Sequence, residues 1–169
     1  MSGIKGSRTE QNLLEAFAGE SLANRKYLAF AKRADEEGLP QVAKLFRAAA
    51  EAETVHAHAH LRVLGGIQDT IANLREAVGG ETHEFTAMYP EMIKQATSEG
   101  YATALKSFTL ANAVEKIHAE LYQKALDNLG QPVVVDYYVC KVCGNTIEGA
   151  PEGPCEICGA GSSAFMQIP

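Results

Sequence analysis

Two stretches of the sequence share one pattern, a glutamate followed three residues later by a histidine: Glu53-Thr54-Val55-His56 and Glu115-Lys116-Ile117-His118. Residues three apart on a helix lie on one face, so each pair can aim a carboxylate and an imidazole at one point. Glu81 and Glu84 repeat the spacing, and Glu20 stands in the apolar run Ala16-Phe17-Ala18-Gly19-Glu20-Ser21. An unpaired buried carboxylate loses several kcal/mol of solvation, and carboxylates on converging faces also repel one another. A pair of divalent or trivalent cations removes both penalties, and mixed carboxylate and imidazole ligands suit iron or manganese. One such motif alone is ordinary exposed helix chemistry. Two on separate helices, with Glu20 and the Glu81/Glu84 pair on others, favour a metal centre. The remaining histidines read as structural or solvated: His58 faces away from His56, His83 points sideways between two candidate ligands, and His60 packs or makes a hydrogen bond.

A second chemistry is confined to the C-terminal end. All four cysteines fall there, as Cys140/Cys143 and Cys155/Cys158. Paired CxxC motifs in a chain without an export signal read as metal ligands rather than disulfides. Four thiolates favour a tetrahedral metal, and ligand type alone leaves zinc and iron open. Each pair is followed by a glycine, Gly144 or Gly159, which lets the backbone turn tightly and bring amides to the sulfurs. Eleven residues, Gly144 to Pro154, separate the pairs.

The elements that must position these groups follow from punctuation and apolar spacing. Ser7-Arg8-Thr9-Glu10 has the form of a capping box. It opens a helix that ends near Gly38, and Pro40 begins a second that stops at Gly65-Gly66. A shorter helical stretch is expected over 69–78, with Gly79-Gly80 separating it from a third main helix over 81–99. That helix contains Pro90 and so should kink there. A fourth runs from Ala102 to Leu129. Four helices of this length fit an antiparallel bundle. After Pro132 the composition turns β-prone, with Val133-Val134-Val135 and Tyr137-Tyr138-Val139, and rich in glycine. So short a module cannot fold on its own apolar surface and needs its cysteines as a staple. The expected division is 1–130, a helical domain; 131–136, a linker; and 137–169, the cysteine domain.

The net charge of −6 argues against nucleic acid. No apolar run approaches membrane-spanning length, and Met1 to Gln11 is polar without an apolar signal-like core. A cytoplasmic location is the expectation. Among ferritin-like di-iron proteins, one Glu from each of two helices joins a Glu-x-x-His from each of the other two, and the candidate ligands match that arrangement.

These residues carry a resemblance along nearly the whole chain. The stretches Asn12-Leu13 through Ala18-Gly19-Glu20-Ser21, Glu51 to Ala57, Gly80 to Pro90, Glu115 to His118 and the double CxxCG resemble rubrerythrins. The resemblance implies a ferritin-like four-helix bundle with a rubredoxin-like β and loop domain, holding two irons in the first and one in the second. It implies that Glu53 and Glu115 bridge the two irons, that Glu20 and Glu81 serve one, and that Glu84 and His118 serve the other. His56 is then the alternative ligand to Glu81, exchanged as the oxidation state changes. Tyr27 and Tyr89 match tyrosines that hydrogen-bond ligand carboxylates. Where many rubredoxin-like second pairs read Cys-Pro-x-Cys, this chain has Glu156, a departure that leaves ligation intact but can alter the local field.

The activity implied is reduction of hydrogen peroxide to water in oxidative-stress defence, with electrons relayed through the rubredoxin-like iron. No Gly-rich dinucleotide fingerprint is present, so the donor must be a separate reductase or rubredoxin. The alternative is ferritin-like iron oxidation and storage, with a structural zinc at the four cysteines. Glu81 and the cysteine module separate the two, since storage needs neither. The resemblance further implies a homodimer, with the cysteine domain of one chain serving the di-iron site of the other, or with helices exchanged through the 65–80 segment.

Overall fold

The structure, a computed structural model, describes residues 3–131 and 134–169. Two compact units divide the chain, Met1–Gln68 and Asp69–Pro169.

The first unit is a helical hairpin of α1 (Arg8–Glu36) and α2 (Pro40–Leu64). Ser7 caps α1, its Oγ accepting from the Glu10 N–H at 3.1 Å. The reciprocal half of the expected box is displaced by one residue. The Glu10 carboxylate accepts from the Gly6 N–H, because the Ser7 N–H already donates to Ile4 O at 2.9 Å. Gly38, in the left-handed region at φ +73°, ends the α1 turn, and Pro40 opens α2 where its missing N–H costs nothing. The buried seam is alanine: Ala31 and Ala34 on α1, and Ala43, Ala50 and Ala57 on α2. Small side chains let the two backbones approach closely. That is how a hairpin with few large buried groups can hold polar ligands on its face.

The second unit begins with α3 (Thr70–His83), capped by Asp69 Oδ1 accepting from the Ala72 N–H at 2.8 Å. The expected break at Gly79-Gly80 does not occur. The helix runs through both glycines, as packing of α3 against α5 offsets the roughly 1 kcal/mol each costs relative to Ala. Nothing in the structure requires glycine at either position. A π-helical segment, Glu84–Met88, then leads into α4 (Tyr89–Glu99) without interruption, so the short and third helices foreseen from the sequence are one rod. The π segment is the local answer to Pro90. The Tyr89 N–H reaches back to Glu84 O, and Pro90 then falls in the first turn of α4, where no backbone donor is needed. Gly100 (φ +76°) turns the chain into α5 (Ala102–Asp127).

The cysteine module is a three-stranded antiparallel sheet in the order β2-β1-β3, with β1 Tyr137–Cys140, β2 Thr146–Glu148 and β3 Phe165–Gln167. Tyr138 pairs with Ile147, and Cys140 with Phe165. The strand starts later than the valine run suggested. Val134 is 97% exposed and has no pleated neighbour to pack against, which is what β-propensity reflects. Val133, with Pro132 of the expected linker and Met1 and Ser2 of the N-terminal stretch, lies outside the described residues.

Within this unit β2 rests on α5. The backbone at Gly144 stands against Val114, Thr146 against His118, and Glu148 pairs with Lys124. No helix among the described residues is long and apolar enough to cross a membrane.

Candidate metal centres

On the first hairpin, α1 contributes Glu20, and α2 contributes Glu53 and His56. One ligand atom from each lies within 4.8 Å of the others. His56 turns Nδ1 toward the Glu53 carboxylate at 2.9 Å, and its ring remains more than half exposed. The register that brings the three together is pinned by a residue sequence reasoning missed. Asn24, one turn after Glu20, crosses to α2 and donates from Nδ2 to Ala50 O at 2.8 Å and to Thr54 Oγ1 at 2.9 Å. Thr54 adjoins Glu53. A polar residue four positions from Glu20 on an otherwise packed face was the available signal.

In the second unit, Glu81 on α3 and Glu115 and His118 on α5 form a matching trio, again within 4.8 Å. His118 Nδ1 lies 2.8 Å from Glu115 Oε2 and 3.9 Å from Glu81 Oε1. Burial first, and then the Glu115 carboxylate, raise the Glu81 carboxyl above its ordinary range. Glu84, a turn beyond Glu81, is half-buried and stands outside the trio, but its charge adds to the rise at Glu81. Tyr89 adjoins the same acids: burial, then Glu115, Glu84 and Glu81, push its phenol upward. Tyr27 is placed differently, in an aromatic cluster with Phe30 and Phe46 at ring separations of 6.4 and 6.1 Å. His58 and His83 are exposed, and His60 is half-buried; none joins a ligand cluster.

The four cysteines converge from two knuckle loops built alike. Gly144 N–H donates to Cys140 O and Gly159 N–H to Cys155 O, both at 2.8 Å. Gly144 and Gly159 take φ of +86° and +74°, which a side chain rarely tolerates. Cys140 and Cys158 have their sulfurs 3.7 Å apart, and Cys143 and Cys155 3.6 Å. A disulfide needs about 2.05 Å. A tetrahedron with metal–sulfur bonds of about 2.3 Å has edges of about 3.8 Å, and the observed spacing fits it. The thiols differ in acidity. Burial drives Cys143 up to about 12. Burial also acts on Cys155, but the backbone N–H groups of Cys158 and Ile157, with the Asn145 amide, outweigh it and bring that thiol down to about 6.

The trio of the second unit and the cysteine module meet through Thr146, which the sequence did not single out. Its Oγ1 lies 3.0 Å from His118 Nε2 and 3.2 Å from Gly144 O. The threonine hydroxyl donates to Gly144 O; a metal held on His118 Nδ1 would leave the ring proton on Nε2, which would then donate to that hydroxyl. Such outer contacts fix the tautomer and direction of a ligating imidazole. A threonine opening a short strand carries no signature of this role in one dimension.

Both carboxylate trios present hard oxygens with an imidazole Nδ1, a donor set that fits iron, and the thiolate tetrahedron fits iron or zinc equally. Comparison with known proteins decides between them. The family model for rubrerythrin matches residues 11–126. Nigerythrin of Nitratidesulfovibrio vulgaris is 35% identical over 164 residues, covering 89% of this chain and 81% of that protein. Rubrerythrin-2 of Clostridium acetobutylicum is 32% identical over 180 residues, covering 96% and 98%. The solved structure of nigerythrin in a mixed-valence state aligns with a TM-score of 0.58 at 33% identity over 99% of this chain and 91% of that one. Its fully reduced, all-ferrous state gives 0.59 at 32% identity, with the same coverage. The fold is accordingly mainly α and ferritin-like, with a small rubredoxin-like module, and the metals are a di-iron pair and a four-cysteine iron. The chain belongs to the rubrerythrin family, as a di-iron oxidoreductase of oxidative-stress defence.

Proposed function

We propose that this protein is a peroxidase that reduces hydrogen peroxide to water, drawing electrons through its own four-cysteine iron. When bound, the ferrous pair supplies two electrons that, with two protons, cleave the O–O bond of one peroxide to give two waters. Glu20, Glu53, His56, Glu81, Glu84, Glu115 and His118 are the ligand set, and Cys140, Cys143, Cys155 and Cys158 hold the single iron. Tyr89 supports the acids of the second unit, and Tyr27, although set beside Phe30 and Phe46, is assigned a supporting role toward the carboxylates of the first hairpin.

The observation that carries this reading is the contact of His118 with Thr146 at 3.0 Å. It ties a ligand of one centre to the loop that holds the other, within one compact unit, as an internal electron relay requires. Glu81 adds to it. Burial and the Glu115 carboxylate raise its carboxyl above the ordinary range, and a cation held beside it would relieve that repulsion.

The domain boundaries follow from the same reading: 1–130 for the iron-carboxylate domain, 131–136 for the linker and 137–169 for the rubredoxin-like domain. Four thiolate ligands need a reducing compartment, which favours the cytoplasm. Leu14, Leu22, Leu45 and Val55 on the first hairpin stand more than half exposed, which favours a second copy of the chain as partner.

The test is steady-state turnover. Iron-loaded protein fed by a nicotinamide-dependent rubredoxin reductase is given hydrogen peroxide. Many peroxides consumed per chain, with iron content unchanged, support the proposal. Negligible peroxide turnover, with ferrous ions added in air accumulating on the protein, supports storage instead.

A further inference from the structure

One polar side chain inside the cysteine module serves neither as ligand nor as a strand contact. Asn145, between the first knuckle and β2, is 1% exposed. Its backbone carbonyl is used by the fold, accepting from the Cys140 N–H at 2.8 Å. Its side-chain Nδ2 lies 3.6 Å from Cys155 Sγ, while Oδ1 is buried with no hydrogen-bond partner among the described residues. An orphaned buried acceptor destabilises the fold, and a leucine of similar size would avoid that cost. What the amide supplies and leucine cannot is a donor aimed at sulfur. Charge settles its orientation: the flipped amide would turn its carbonyl oxygen toward the thiolate lone pairs and repel them.

We infer that Asn145 raises the reduction potential of the four-cysteine iron by donating an N–H···S hydrogen bond to Cys155. The inference rests on the reading of that iron as a one-electron centre. One electron arrives from the separate reductase and ferric iron becomes ferrous, with no proton taken up and no bond to sulfur made or broken. The added negative charge spreads onto the four sulfurs. A donor to one of them binds the reduced form more strongly than the oxidised form, since hydrogen bonds strengthen with charge on the acceptor. Hydrogen bonds to sulfur are a recognised control on such potentials, and burial of Asn145 keeps water from competing for the same lone pair. The backbone donors of the knuckles belong to the loop fold itself. The Asn145 amide is a side-chain donor added to them, so it can be removed alone.

The experiment compares wild-type and Asn145→Leu full-length protein, iron-loaded, in an anaerobic redox titration followed by the iron–thiolate absorption. The expected result is a fall of about tenfold in the reduced-to-oxidised equilibrium constant, or about 59 mV for one electron. An unchanged potential overturns the inference. Should the leucine variant fail to fold, wild-type protein carrying magnetically active cadmium at the four cysteines gives a second answer. Scalar coupling between the Asn145 side-chain amide protons and cadmium supports the bond, and an assigned amide without coupling overturns it. A wild-type iron that accepts no electron would defeat the relay reading itself, and the cadmium measurement would still decide whether the bond exists.

Discussion

At the four-cysteine site, neighbouring thiols are driven apart in acidity by their immediate surroundings. Cys155 is brought to about 6 although burial opposes it, and Cys143 is held at about 12 by burial. In metal-free, reduced protein shown by circular dichroism to keep the module's sheet, the first thiolate absorbance should therefore rise well below the ordinary thiol range and be missing from Cys155→Ser. A titration in which all four thiols ionise together near the ordinary value would contradict this. At the carboxylate site, the raised Glu81 carboxyl binds a proton more tightly in the folded than in the unfolded chain. Metal-free protein then gains stability as pH falls from neutral through the raised Glu81 value, and loses it as pH rises through the same window. Glu81→Gln should remove that gain, read as the pH dependence of urea midpoints. The candidate ligands were marked in the sequence because ligand chemistry leaves its trace in residue type and spacing, whereas the gathering of the carboxylates into two trios, with Glu84 outside them, was not. Asn24, Asn145 and Thr146 were not, because each acts across a gap of 10 to 30 positions that only the fold closes.

Among the elements, the rod from Thr70 to Glu99 depends on the π segment before Pro90. Deleting Ala87 would restore regular helix and set the Pro90 ring against the carbonyl four residues before it, at a cost of about 3 kcal/mol. Chemical denaturation of the metal-free protein should show that loss, and Pro90→Ala in the deleted background should recover most of it. A neutral deletion would mean the widened turn is not what accommodates the proline. The contact of β2 with α5 gives a second test. Thr146→Val keeps the side-chain shape but removes the hydroxyl between His118 and Gly144. It should weaken iron binding at the carboxylate site by about 10–100-fold, measured by competition with a chelator, and leave the cysteine iron in place. The sequence marked the proline as a disturbance but could not say how it would be absorbed. It overstated Gly79-Gly80 as a break, because packing against α5 outweighs a propensity penalty that periodicity cannot see.

For the whole molecule, the exposed leucines of the first hairpin predict self-association. Light scattering should give about twice the 18.1 kDa chain mass, and Leu22→Glu with Leu45→Glu should shift it toward a monomer. A wild-type monomer at working concentration would refute the second copy as partner. Fold class and the presence of two kinds of metal site were readable from sequence, because a helical region with Glu-x-x-His pairs and a cysteine-stapled module differ so sharply in composition. Docking of the cysteine module on α5 through Thr146 was not, because it rests on three contacts between residues of ordinary type. That docking is also what gives the peroxidase reading its internal relay. The direct test is anaerobic stopped-flow absorbance of the fully reduced, iron-loaded protein mixed with stoichiometric hydrogen peroxide, and separately with dioxygen. The account predicts rapid return of the oxidised iron–thiolate colour with peroxide and slow return with dioxygen. Oxidation of the di-iron pair by peroxide with no change at the cysteine iron would contradict it.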